Sequence, residues 1–388
     1  ANDERASARA AAAGAQLLAF GWNQYGQLGL GNESDQPSPT VVAAIDGLDA
    51  PPRHIAAASK SSALVTEAGE CFTFGCGKDG RLGHGFSVDG GNEAVPRLVA
   101  ELAGTEIRSV AVGDTHMAAV TATGEVWTWG KPLGGRLGHS NSVAGTPGKV
   151  EGLDGVKVAA VACGWNHTVA LTDDGRVFTW GIGRYGALGN GSKADSKFPL
   201  QVDGFGARRI VQVSCGRDHT LALADDGSVF AWGSDDNGAV AAGGARYVTS
   251  PQAVRSLRGR KCKRVVAGEQ HSLAIAENGD VFSWGANFAG QLGHGDKADV
   301  TVARQIKSLA GTHIVDGDAG NGHTILLDDA GKLHAFGRGR NGQLGRGTEL
   351  ESVAAVRATP VSVELLAGQR VAQVACGGEH TLALVKTA

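Results

Sequence analysis

No apolar run in this 388-residue chain approaches the roughly twenty residues a helix needs to cross a bilayer. Residues 1–14 mix alanine with Asp3, Glu4, Arg5 and Arg9 and lack the apolar core of a secretory signal, so they read as a tail or short helix ahead of residues 15–388. Charge of one sign is also missing. The 36 basic and 39 acidic residues leave a net charge of -3, which gives no general attraction to nucleic acid or anionic membrane. There is no Gly-x-Ser-x-Gly elbow for an activated serine and no Gly-x-x-x-x-Gly-Lys-Ser/Thr loop for a phosphate. No linker divides the chain.

Glycine, by contrast, is abundant at 60 residues, and it falls at fixed places. An aromatic–Gly pair recurs at Gly21, Gly75, Gly130, Gly181, Gly233, Gly285 and Gly337, with spacings of 51 to 55 residues. A period this regular signals a repeat architecture. The residue before each glycine is Phe20, Phe74, Trp129, Trp180, Trp232, Trp284 or Phe336, which predicts seven buried aromatics around a ring. Fourteen residues upstream stands a histidine, at His116, His167, His219, His271 and His323, with Ser61 in its place in the second copy.

Within a unit, His-Thr-x-Ala-Leu alternates apolar and polar residues as a half-buried strand does. A turn pair such as Asp174-Gly175, Asp226-Gly227 or Asn278-Gly279 follows, then a second alternating run. Such pairs supply the positive φ values of a two-residue hairpin turn. After the anchor comes a loop ending in Leu-Gly, whose leucine should plug the gap between units. The fifth copy departs, with Ala239-Val240-Ala241. A short run carrying proline, such as Pro199–Val202, then makes an outer strand.

Four short strands in about 50 residues define a propeller blade. The first copy lacks its upstream half, and that half stands at the other end as Ala375–Val385, containing His380. The fold expected is therefore all-β: a seven-bladed β-propeller with four antiparallel strands per blade. One blade closes by pairing Leu17–Phe20 with Thr381–Val385, which removes the open edge of a linear array. Cys163, Cys215 and Cys376 occupy one equivalent inner-strand position in separate blades, too far apart to bridge. With Cys71, Cys76 and Cys262 they are expected to be free thiols in a reducing compartment, cytoplasmic or nuclear. A chain starting at alanine leaves room for a removed organelle-targeting peptide.

The motifs Gly-x-x-His-Thr-x-Ala-Leu, Asp-Gly-x-Val-Phe-x-Trp-Gly and Gly-Gln-Leu-Gly-x-Gly resemble the repeat of the regulator of chromosome condensation family, from Leu17 to Val385. The resemblance implies the same ring with termini sharing a blade. Its members include an exchange factor for the Ran GTPase, the plant UV-B photoreceptor and propeller modules of HECT ubiquitin ligases, so it implies no single activity. Asp114 matches an acidic loop position of the exchange factor, but Asn166 stands where an aspartate would follow, and Trp129–Gly135 has no inserted wedge. Of the photoreceptor's loop tryptophans only Trp165 remains, which removes an indole cluster. A HECT catalytic domain does not fit within this length beside the propeller.

The histidine ring places one imidazole per blade, which cannot gather several ligands about one metal. Each is expected to bond backbone in its own loop, helped by the following threonine. No metal, cofactor or catalytic residue is expected. Function should lie in two sets of loops on one rim, the Gly-x-x-His loops and those after the anchor. They present Trp22, Tyr25, Lys60, Lys78, Asp114, Trp165, Arg184, Tyr185, Arg217, Asp218, Glu269, Phe288, Arg338 and Arg340 as a partner-binding face rich in aromatic and arginine anchors. The expectation is a non-catalytic protein-interaction scaffold. The alternatives are guanine-nucleotide exchange on a small GTPase, in which Asp114 and Asp218 would act, and a structural subunit of a larger assembly. Arg255–Arg264 is the densest cationic run, either a solvated loop or a patch for an acidic partner.

Overall fold

A computed structural model of the protein describes residues 14–85, 91–140, 145–347 and 356–386; the expected tail lies almost wholly outside them. The described chain forms seven four-stranded antiparallel sheets. The inner strands, among them Val158–Cys163 and Ile210–Cys215, touch in a closed cycle that returns from Arg370–Cys376 to Pro52–Ala58. A channel of about 610 Å³ opens along their axis. No helix among the described residues is long and apolar enough to cross a membrane.

The closing blade has the predicted composition. Strand Ala15–Gly21 lies antiparallel to His380–Lys386, with Leu17 opposite Leu384 and Phe20 opposite Thr381, and strand Gln36–Val41 completes it on the outside. All seven anchor aromatics are fully buried. The plugging leucines, Leu28, Leu82, Leu137, Leu188, Leu292 and Leu344, are buried as well. In the fifth copy Val240 takes the same role, and Ala241 adopts a left-handed φ of 58° where the other copies use glycine. All six cysteines are free; five are buried and Cys215 is half-buried in the channel wall.

The histidines hold the ring together differently from the expectation. Each reaches across to the next blade rather than to its own loop. His116 bonds Thr168, His167 bonds Thr220, His219 bonds Ser272, His271 bonds Thr324, His323 bonds Thr381 and His380 bonds Ser62, with Nε2–oxygen distances of 2.8–3.2 Å. In five of the six pairs that hydroxyl donates to a backbone carbonyl, of Arg136, Ala239, Gln291, Gln343 or Gln27. Its oxygen must then accept from the imidazole, which fixes the proton on Nε2. Burial depresses the histidine pKa values, to about 4 for His167 and about 3 for His219, His271, His323 and His380, so the belt is neutral. The belt is interrupted once, and both partners change there. Ser61 replaces the histidine of the second blade, and the buried Met117 replaces the hydroxyl that would have faced it.

The same substitution explains a small residue nearby. A Cβ added to Gly377 would stand 1.9 Å from Cε1 and 2.2 Å from Nδ1 of His380, with no backbone atom nearer. The second blade, which has no imidazole, carries Ala58 at this position. Gly377→Ala alone should therefore cost about 1–3 kcal/mol of overpacking, and close to nothing in a His380→Ser background. Chemical denaturation of the four chains of this cycle checks it; equal cost in both backgrounds would mean that the ring does not set the glycine.

Candidate functional site

Register decides where the loops emerge. In each complete blade the first residue of the second strand faces the anchor glycine at the end of the third, as His167 faces Gly181 and His219 faces Gly233. The Gly-x-x-His loop and the loop after the anchor must therefore leave on the same side, so the two predicted sets share one rim. Backbone bonds link the first set from blade to blade. Trp165 N–H donates to the Arg217 carbonyl, Arg217 N–H to Glu269 and Glu269 N–H to Gly320. The variable side chains thus project from a fixed circle around the channel mouth.

The rim residues fall into three clusters. In the first, Trp22 and Tyr25 meet edge to face at 5.4 Å, and the Lys60 ammonium lies 4.8 Å from the Tyr25 ring centroid and 5.6 Å from that of Trp22. The second is the densest. The Arg217 guanidinium stacks 3.8 Å above Trp165 and approaches Asp218 at 3.3 Å and Glu269 at 3.6 Å. Beside it Arg184 covers Tyr185 at 4.6 Å. These six residues line one pocket of about 350 Å³. Burial pushes the Glu269 carboxyl up to about 7 against the opposing pull of Arg217, and burial raises Asp218 as well. In the third cluster Arg338 lies 5.3 Å over Phe288 and pairs with Glu379 at 2.8 Å.

Asp114 stands half-buried at the channel mouth, apart from the three clusters. Lys78 and Arg340 are exposed and join none of them. Sequence reasoning missed the groups that hold these side chains. Arg81 donates to the Asp114 carbonyl, and Arg136, almost fully buried, donates to the Thr115 hydroxyl, so two guanidiniums fix the loop that carries Asp114. The signal was an arginine in two adjacent copies where Gln27, Gln291 and Gln343 stand elsewhere. Glu379 and Gln270, not among the expected rim residues, occupy the same free loop position as Asp218. Asp236 and Asn237 close the outer side of the second cluster.

A family model described as RCC1-like domain matches residues 87–388, and one for the regulator of chromosome condensation (RCC1) repeat matches residues 15–65. The chain is 36% identical over 349 residues to the ultraviolet-B receptor UVR8 of Arabidopsis thaliana, covering 88% of this chain and 77% of that protein. It is 35% identical over 373 residues to the E3 ubiquitin-protein ligase HERC2 of Mus musculus and of Homo sapiens; the match covers 95% of this chain but only 8% of their length. The crystal structure of human WBSCR16 shares the fold with a TM-score of 0.85 at 22% identity, over 96% of this chain and 99% of that one. The chain belongs to the RCC1 repeat family.

Proposed function

We propose that this member of the RCC1 repeat family is a protein-interaction propeller that docks a partner on the rim around the channel mouth and performs no chemistry of its own. The observation that carries the reading is the second cluster. An arginine whose guanidinium carbon lies 3.8 Å from a tryptophan ring centroid, with two partly buried carboxylates and an Arg–Tyr pair around one pocket, forms the kind of aromatic and guanidinium anchor that concentrates binding energy. The ring supplies rigidity and the loops supply specificity. Within HERC2 the matching stretch is a small part of a longer chain, a precedent for the alternative that this propeller serves as a subunit of a larger assembly.

A partner recovered from the native source should be lost on Trp165→Ala, with a cost of about 2 kcal/mol or more, roughly thirtyfold in affinity. It should be retained on Val302→Ser, a change of an exposed residue of the outer perimeter. Equal retention by both variants would remove the rim from the reading. Nucleotide release from a panel of small GTPases distinguishes the exchange alternative. Unchanged release supports docking alone, whereas acceleration that collapses on charge reversal at Asp114 and Asp218 would make the rim an exchange surface.

A further inference from the structure

The side of the ring opposite the rim is built from the hairpins between second and third strands and from the connections that lead each outer strand into the next inner one. It is acidic over much of its circumference: the first connection carries Asp46 and Asp49, the second Glu101 and Glu106. Some connections are basic, and Arg255–Lys261, with four cations and no carboxylate, is the most strongly so. In Arg255–Lys261, the side chains of Arg255, Arg258, Arg260 and Lys261 are exposed, and among the described residues none has a carboxylate within ion-pair distance. The loop that carries them is fixed. Leu257 is buried beneath it, and the backbone N–H groups of Arg258 and Arg260 donate to the carbonyls of Arg255 and Leu257.

The preceding blade shows what is missing. There Arg208 lies 5.7 Å over Phe230 and its Nε stands 2.7 Å from Asp226 of the hairpin. Its counterpart Arg260 keeps the aromatic seat, 5.5 Å over Phe282, but the hairpin residue that corresponds to Asp226 is Asn278. That amide is occupied with Asp280 at 2.9 Å. Arg260 is therefore held in place without its counter-charge. Lys263, in the strand Cys262–Ala267 that follows, directs its ammonium at His313 Nε2, 3.0 Å away, with Asp329 and Glu277 acting on it only at longer range. A seated guanidinium and two exposed ones on a fixed loop, left without carboxylates, form an arrangement that takes a carboxylate or phosphate group from outside.

We propose that the connection Arg255–Lys261, with Lys263, is a docking site for a short acidic segment of a partner protein, on the face opposite the rim and independent of it. Arg255, Arg258 and Arg260 present forked donors to the partner's carboxylates, and the two lysines add charge. A short segment fits better than an extended polyanion. The hairpins on either side carry Asp225, Asp226, Glu277 and Asp280, so a nucleic acid continuing past the island would meet carboxylates.

The test uses a fluorescein-labelled hexaglutamate peptide and the full chain, followed by anisotropy in low salt and again at physiological ionic strength. Reversal of Arg255, Arg258, Arg260 and Lys261 to glutamate should weaken binding by about tenfold or more. Asn278→Asp should weaken it by about threefold, because it rebuilds the internal partner that Arg208 has. This second variant keeps an Asp-Gly turn like that of Asp226-Gly227, so its fold is safe. Arg246→Glu, 83% exposed in a loop on the rim side, should leave binding unchanged. Affinity indifferent to the fourfold reversal, or to Asn278→Asp, overturns the proposal. So does single-stranded RNA of equal charge bound as tightly as the peptide.

Discussion

Mild acid is expected to unfold this protein cooperatively, with a midpoint between about pH 4.5 and 5.5. The cause is the neutral belt of His116, His167, His219, His271, His323 and His380. Their folded pKa values lie far below the ordinary histidine value near 6.5. A base with a depressed folded pKa contributes stability that is fully present above its unfolded pKa. That stability is lost as the pH falls below 6.5, because the unfolded chain takes up protons the folded one refuses. At pH 5 each of the five histidines held at about 3 or 4 contributes about 2 kcal/mol to this loss, or about 10 kcal/mol together, and His116 acts in the same direction.

Carboxyls raised by burial act the other way: Glu269 and Asp318 most, with Asp218, Asp235 and Asp316 in the same direction. Burial pushes Glu269 and Asp318 up to about 7, so the folded state binds their protons first and gains as the pH falls; together they return about 5 kcal/mol at pH 5. Between these five histidines and two carboxyls the net loss is about 5 kcal/mol, already of the size of a domain's stability. Circular dichroism across pH checks the midpoint, and the Cε1–H resonances of the six belt histidines should hold their shifts from pH 8 to 6. A fully folded ring at pH 4, or six histidines titrating near 6.5, would refute the neutral belt. His380→Ser should remove one proton from the uptake on unfolding.

The belt also marks where the sequence was legible and where it was not. Anchor aromatics, turn pairs and the complementary half-units at the two ends depend on spacing alone, and spacing survives in a bare sequence. A repeat sets each histidine beside its own neighbours, which points to a partner within the unit. The correct partner lies one unit onward. The clue was present, since Ser61 lacks the imidazole and Met117 of the next unit lacks the hydroxyl. It becomes readable only when successive units are set side by side as contacting surfaces. The rim behaves similarly. That its two loop sets meet follows from register, but that Arg217 stacks on Trp165 while Arg338 seeks Glu379 depends on side chains from different blades, which no single repeat contains. Asn278 in the place of Asp226 carries meaning only once Arg208 has been seen in contact with that aspartate.

Deleting residues 14–21 should abolish the ring altogether. Strand Ala15–Gly21 is the middle layer of the closing blade, paired on one side with His380–Lys386 and on the other with Gln36–Val41, so its loss leaves two strands without the partner between them. Leu17, Leu18 and Phe20 are each at most 3% exposed. At about 2–3 kcal/mol per side chain, their removal alone costs on the order of 6–9 kcal/mol, before any lost ladder hydrogen bonds. That equals the stability typical of a domain, and the freed edge of His380–Lys386 is a template for aggregation. The milder Phe20→Ala should cost about 3–5 kcal/mol and leave a foldable chain, because a cavity at one anchor keeps the ladder intact. Size-exclusion chromatography and thermal unfolding separate the two outcomes. A synthetic peptide of residues 14–21 added to the truncated chain should restore part of the cooperative transition by strand addition. A truncated chain that stays monomeric and melts within a few degrees of the full one would mean that seven blades hold together without their clasp.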